Sequence, residues 1–329
     1  MATDVIDVHT HMLSEEWMSL LAAHGGPTYE LRTTPEGRRV VYREGAQFFN
    51  ITPGMFDYDL RIRSMDAAKV DIAIVSLTAP NAHFGPPEIA LKAASVMNDS
   101  MAAAQVAHPD RIRWFASLPW LHADLAIAEL ERACAAGAVG VMVIANIEGR
   151  PLTAPEFAPV WQAIDDRKLP VLVHPTLPPG AAALGLDEYY LGPSVGFTFD
   201  TSLAISRCIY DGFLDRYPNL KLIASHGAGA LPYIVGRLDI CWKASDEARA
   251  KTRIPPSEYM RRIYADAVVF TDEALRTALR ACGSDNILYG SDYPHQIGDM
   301  AGCLARVNAL PPRTCAKVRS VNARKIFNI

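Results

Sequence analysis

The chain has no C-x-x-C pair. Its six cysteines, Cys134, Cys208, Cys241, Cys282, Cys303 and Cys315, lie far apart, which excludes a redox dithiol motif and a zinc-ribbon framework. They read as free thiols of a reducing compartment. Nor is there an apolar run of the roughly 18 to 20 residues that a membrane span needs. The N-terminal stretch Met1-Ala-Thr-Asp-Val-Ile has no basic segment leading into an apolar one, so no signal peptide is expected and the expected location is the cytoplasm. Charge of either sign is scattered. Lys and Arg number 32 against 36 Asp and Glu, a formal charge of −4, and this leaves no basic footprint for nucleic acid or an anionic membrane. A small molecule is the expected partner. Internal repeats and low-complexity tracts are also absent.

What is present is apolar and periodic. Half of the 329 residues are hydrophobic, enough for a large core, and residues 1–329 are expected to form one domain. Short runs rich in β-branched residues recur at Val5–His9, Asp71–Leu77, Arg111–Leu118, Val139–Ile144, Leu169–His174, Leu220–Ser225, Ile263–Ala267 and Ile287–Ser291. Several, such as Leu169-Pro-Val-Leu-Val-His174, are continuously apolar, which suits parallel strands buried on both faces. Helical stretches are expected over Pro87–Ala107, Asp124–Ala136, Pro155–Arg167, Asp272–Cys282 and Thr314–Phe327, several bounded by proline or glycine signals. Eight strands alternating with helices predict an α/β fold, a (β/α)8 TIM barrel, with an open doubly wound sheet as the competitor. Met12–Asp57 and Pro175–Thr201 are too long for minimal connections. They are expected to be extended loops after strands one and five, whose aromatics (Phe48, Phe49, Phe56, Tyr189, Tyr190, Phe197, Phe199) wall a pocket.

The polar residues that interrupt this pattern fall at strand ends. His9 and His11 are two apart at the end of the first strand, and side chains at i and i+2 point the same way. Alone, an H-x-H is weak. But His174 ends the fifth apolar strand, His226 the sixth and Asp292 the last. In a parallel barrel all these ends open on one face, where two or three neutral imidazoles and a carboxylate can converge on one metal.

These motifs resemble those of the amidohydrolase superfamily: His9-x-His11, His174-Pro175, Ser225-His226-Gly-Ala-Gly229 and Gly290-Ser-Asp292-Tyr-Pro294. The closer resemblance is to its amidohydrolase-2 branch, which includes non-oxidative decarboxylases. It extends along the chain through Leu60-Arg61-x-x-x-Met65-Asp66, Met97-Asn98-Asp99, Gly236-Arg237-Leu238-Asp239-x-x-Trp242 and Pro255-Pro256-Ser257-Glu258-Tyr259. The resemblance implies one divalent metal, zinc or in some members manganese, on His9, His11, His174 and Asp292. Asp292 would be both a ligand and a catalytic group. His226 would stand off the metal as the proton-transfer residue, a task that suits an imidazole with an ordinary pKa near 6.5. No lysine ends the fourth strand, Val143-Ile144-Ala145-Asn146, so one metal rather than two is expected.

The resemblance also implies a carboxy-lyase acting on a small aromatic or conjugated carboxylic acid. The alternative is a hydrolase or hydratase that uses a water activated by the same cation. A homodimer is implied, in which the arginine matching Arg237 reaches a neighbouring subunit's substrate carboxylate. The residue-level alternative for Arg237 is a surface ion pair with Asp239. A second carboxylate-binding arginine of the branch is missing, because the matching stretch reads Ala46-Gln47-Phe48-Phe49-Asn50. That departure points to a ligand with one fewer carboxylate or a more aromatic body. Phe49 and Phe84 are expected to touch substrate. His24, His83, His108 and His122 are not assigned to the metal, and His295 is expected at most behind a ligand.

Overall fold

The structure, a computed structural model, describes residues 4–329. Eight parallel strands form one sheet in chain order: β1 (Ile6–His11), β2 (Ile72–Ser76), β3 (Ile112–Ala116), β4 (Gly140–Ile144), β5 (Pro170–His174), β6 (Lys221–Ala224), β7 (Tyr264–Asp266) and β8 (Ile287–Leu288). The sheet closes on itself. Val8 N donates to Tyr289 O at 3.0 Å, Asp292 N donates to His9 O at 2.8 Å, and Thr10 bridges Tyr293 in parallel. This closure excludes the open doubly wound sheet. β2, β4 and β5 are buried at every position, as their unbroken apolar runs require.

The principal helices are α1 (Glu15–His24), α2 (Tyr58–Ala68), α3 (Pro87–Ala107), α4 (Ala123–Ala135), α5 (Ala158–Asp166), α6 (Phe197–Tyr210), α7 (Leu231–Ala244), α8 (Asp272–Cys282), α9 (Met300–Asn308) and α10 (Asn322–Phe327). α8 begins where Thr271 Oγ1 accepts from Ala274 N at 3.2 Å. Trp114, Trp120 and Trp161 are buried in the core. Among the described residues, no helix is long and apolar enough to cross a membrane.

Two boundaries differ from the sequence reading for a visible reason. β8 stops at Leu288 rather than Ser291 because Tyr289 N leaves the ladder and donates to Val318 O at 2.9 Å. The expected helix Thr314–Phe327 is correspondingly broken into Pro312–Ala316, a π-helical turn at Lys317–Val321, and α10. Asn322 then anchors it by donating to Ser284 O and Ile287 O.

The two long connections are ordered. Residues 12–57 hold α1 and a three-stranded antiparallel sheet, Tyr29–Thr33, Arg39–Arg43 and Ala46–Asn50. Its second hairpin turns at Glu44 (φ 51°) and Gly45 (φ 85°), two consecutive left-handed residues, as a tight two-residue turn requires. Residues 175–201 run through turns and a π-helical turn at Gly192–Gly196, then pass into α6 at Phe197, earlier than a loop reading allowed. Phe48 of the small sheet meets Phe197 edge-on at 6.1 Å. The two insertions thus meet over the barrel mouth.

Candidate metal centre and active site

His9 and His11 sit on β1, His174 ends β5, His226 follows β6, and Asp292 follows β8. The outer nitrogen of each of the first three imidazoles is already engaged. His9 Nδ1 lies 2.6 Å from Asp266 Oδ2, His11 Nδ1 lies 3.1 Å from Ser76 Oγ, and His174 Nδ1 donates to Pro175 O at 2.8 Å. Such contacts fix tautomer and ring direction and leave Nε2 to face inward. Among the described residues, His9 Nε2, His11 Nε2 and Asp292 Oδ1 are all buried without a hydrogen-bond partner. Asp292 Oδ1 stands 3.4 Å from His9 Nε2 and 3.2 Å from His11 Nε2. An unmet buried polar group costs about 1–3 kcal/mol. Three of them converging on one point, all lone-pair donors, fit a divalent cation.

Electrostatics agree with this donor chemistry at His11, His174 and Asp292, while the Asp266 carboxylate raises His9 against its burial. Burial pushes the His11 imidazole down to about 3, and burial with the neighbouring imidazoles holds His174 well below its ordinary value. Both are therefore neutral. Burial alone would raise Asp292, but the close approach of the His11 and His226 rings, with His9 and His295 nearby, holds it well below the usual carboxylate range. Asp266 is likewise held down against its burial, chiefly by His9.

His226 adopts a left-handed backbone, φ 55° and ψ 51°. For a residue other than glycine this costs about 1–3 kcal/mol and persists only where its surroundings enforce it. Asp266 enforces it: its carboxylate accepts from His226 N and Gly227 N, both at 3.0 Å. His226 Nε2 lies 3.4 Å from Asp292 Oδ2, and its Nδ1 is buried without a partner.

The ligating atoms of His9, His174, His226 and Asp292 lie within 4.8 Å of one another, as do those of His11, Asp292 and His295. The four expected ligands are therefore brought together around Asp292. His226 joins their cluster more closely than a residue standing apart would, and His295 lies beside His11, ring centroids 4.9 Å apart. His295 Nε2 is 3.1 Å from Thr78 Oγ1.

The pocket over this cluster is walled by Phe48, Phe49, Tyr190 and Phe197, with a polar rim where Asn50 Nδ2 donates to Gln296 Oε1 at 2.6 Å. Among the described residues, no lysine or arginine lines it. Phe49 lines the pocket. Phe84 does not line the pocket and packs edge-on against Trp17 at 6.0 Å. Arg237 is exposed on α7, away from its own chain's pocket, and Asp239 accepts from Ser257 N at 2.9 Å. Asp266 escaped the sequence reading. Its signal was the one that found Asp292, a carboxylate ending an apolar strand. The arrangement can hold a cation, bind a flat acid between aromatic walls away from water, and move a proton at His226.

A family model described as amidohydrolase matches residues 6–329. The chain is 30% identical over 300 residues to 2-amino-3-carboxymuconate-6-semialdehyde decarboxylase of Dictyostelium discoideum, covering 90% of this chain and 83% of that protein. It is 28% identical over 291 residues to gamma-resorcylate decarboxylase of Rhizobium radiobacter, covering 82% and 87%. A similar solved structure is dihydroxybenzoic acid decarboxylase from Polaromonas sp. JS666, with bound manganese and 2-nitroresorcinol. It has a TM-score of 0.80 at 23% identity, covering 99% of this chain and 97% of that one.

Proposed function

The chain belongs to the amidohydrolase family, and on that premise we propose that it is a metal-dependent, non-oxidative decarboxylase of a small aromatic or conjugated carboxylic acid. The observation that carries this reading is the trio of bare, buried donor atoms on His9, His11 and Asp292 beneath an aromatic pocket. The curated relatives support it, since those named above are decarboxylases.

His9, His11, His174 and Asp292 hold the cation, with Asp266, Ser76 and Pro175 fixing the ring directions. When bound, the cation supplies Lewis-acid stabilisation of charge that develops on a substrate oxygen. Phe48, Phe49 and Phe197 enclose the flat acid and exclude water. The bond to the carboxyl group breaks, its electron pair stays on carbon, and His226 delivers the proton that this carbon takes up. With no lysine or arginine among the described residues of the wall, a substrate with a single carboxylate fits better than a dicarboxylate.

Zinc is the proposed ion and manganese the alternative, since three imidazoles and a carboxylate suit both. The protein is proposed to be a cytoplasmic homodimer of single-domain chains, in which Arg237 reaches the substrate of the other copy. The test is carbon dioxide release from a panel of hydroxybenzoates, picolinate-like and muconate acids by protein purified without chelator. Metal content is measured alongside. Release from at least one acid is expected. A metal-loaded protein that hydrolyses or hydrates such compounds and releases none overturns the proposal.

A further inference from the structure

Arg61, in the Leu60-Arg61-x-x-x-Met65-Asp66 stretch, projects from α2 into the interior and is fully buried. Its hydrogen bonds run to neutral acceptors on three consecutive residues. Nε donates to Met12 Sδ at 2.9 Å, Nη1 to Thr10 Oγ1 at 2.6 Å, and Nη2 to His11 O. Its guanidinium also lies over the Tyr293 ring, 4.8 Å from the centroid. Thr10 and His11 are themselves tied to Tyr293, whose carbonyl accepts from Thr10 Oγ1 at 2.8 Å and from His11 N at 2.7 Å. This is where β1 needs support. Its register against β2 shifts between Asp7 and Thr10, an irregularity of the kind that re-aims side chains. A planar fork with five donors can grip three acceptors at once; an ammonium cannot.

We propose that Arg61 is a positioning residue for the metal centre, clamping Thr10–Met12 against Tyr293 so that His11 and Asp292 meet at one point. The inference rests on the proposed metal site and adds a residue that touches neither metal nor substrate.

The test uses metal-stripped, full-length protein titrated calorimetrically with Mn2+ alone, with the melting temperature of the metal-free form measured in parallel. Arg61→Met is compared with Arg61→Lys and with Arg111→Met. Arg111 makes a similar fork to Asp71 O, Val70 O and Asp66 Oδ1 at the opposite end of the barrel. Arg61→Met should weaken Mn2+ binding about 10- to 100-fold, the usual cost of losing a group that orients a ligand. Arg61→Lys should recover part of that loss, and Arg111→Met should melt lower with unchanged affinity. Unchanged or tighter binding by Arg61→Met overturns the proposal, as does equal weakening in Arg111→Met. If Arg61→Met yields no folded protein, Thr10→Val is read in its place, and unchanged Mn2+ affinity there overturns the clamp. Wild-type protein that takes up neither Mn2+ nor, in a parallel titration, Zn2+ sinks the metal site and the clamp together. A binding wild type with an unaffected variant sinks the clamp alone.

Discussion

His83 places a whole imidazole in the interior, 3% exposed, with neither ring nitrogen hydrogen-bonded among the described residues. Burial pushes its pKa from 6.5 down to about 3. The unfolded chain therefore takes up a proton below pH 6.5 that the folded chain refuses until about pH 3. The stability this neutral group allows is fully present above pH 6.5 and is lost as pH falls toward 3. His83→Leu removes the effect. Between pH 8 and pH 5 the stability of the variant relative to wild type should improve by about 2 kcal/mol, read from urea melts at both pH values. A constant difference would mean that His83 is hydrated or partnered in solution. At His226 the expectation concerns rate. His226→Ala should retain the metal and lose roughly 10²- to 10⁴-fold in kcat, the usual weight of a general acid. Loss of metal instead would make His226 a ligand, a role that its place in the cluster makes worth checking.

At the scale of elements, Gly290 sets how closely β8 approaches β1. A Cβ there would stand 2.9 Å from His9 Cβ and 3.2 Å from Asp266 Cβ, closer than carbon atoms pack. Gly290→Ala should cost about 1–3 kcal/mol in a thermal melt and loosen metal binding through His9. Intact stability and affinity would show that the strands part without penalty. The sequence made the barrel legible because parallel strands buried on both faces read as unbroken apolar runs, as in Pro170–His174. It made the candidate ligands legible because polar groups ending such runs at His9, His174 and Asp292 have no packing reason to be there. It could not reveal where β8 stops, since that depends on Tyr289 N finding Val318 O, a partner 29 positions away. The small sheet over the mouth was hidden for a similar reason. Its strands are short and half-polar, and they are tied to the rest of the chain by long-range contacts such as Phe48 on Phe197 and Arg43 on Thr176. Phe84 was misjudged as a pocket wall because an aromatic residue after a strand looks the same in sequence whether it faces substrate or Trp17.

For the whole molecule, Arg237 is the residue that a single chain leaves without a role. It lies on α7 near exposed Tyr233 and Ile240, while α6 exposes Phe199 and Leu203. Exposed apolar side chains beside a cation on one helix, as Tyr233 and Ile240 flank Arg237 at helical spacing, are what an interface between copies uses. Light scattering should therefore give the mass of two chains. Arg237→Ala should raise KM for the acid about tenfold or more while metal content stays unchanged. An unchanged KM would remove Arg237 from the substrate's surroundings.

The first and last strands of the barrel meet through few backbone bonds, and the residues beside that join are His9, His11 and Asp292. A bound ion would act as a rivet across this seam, fastening the start of the polypeptide to a point almost three hundred residues later. Stripping it should let deuterium reach the Val8, His11 and Asp292 amides well before the rest of the cylinder loosens, so depleted protein would open first along one line.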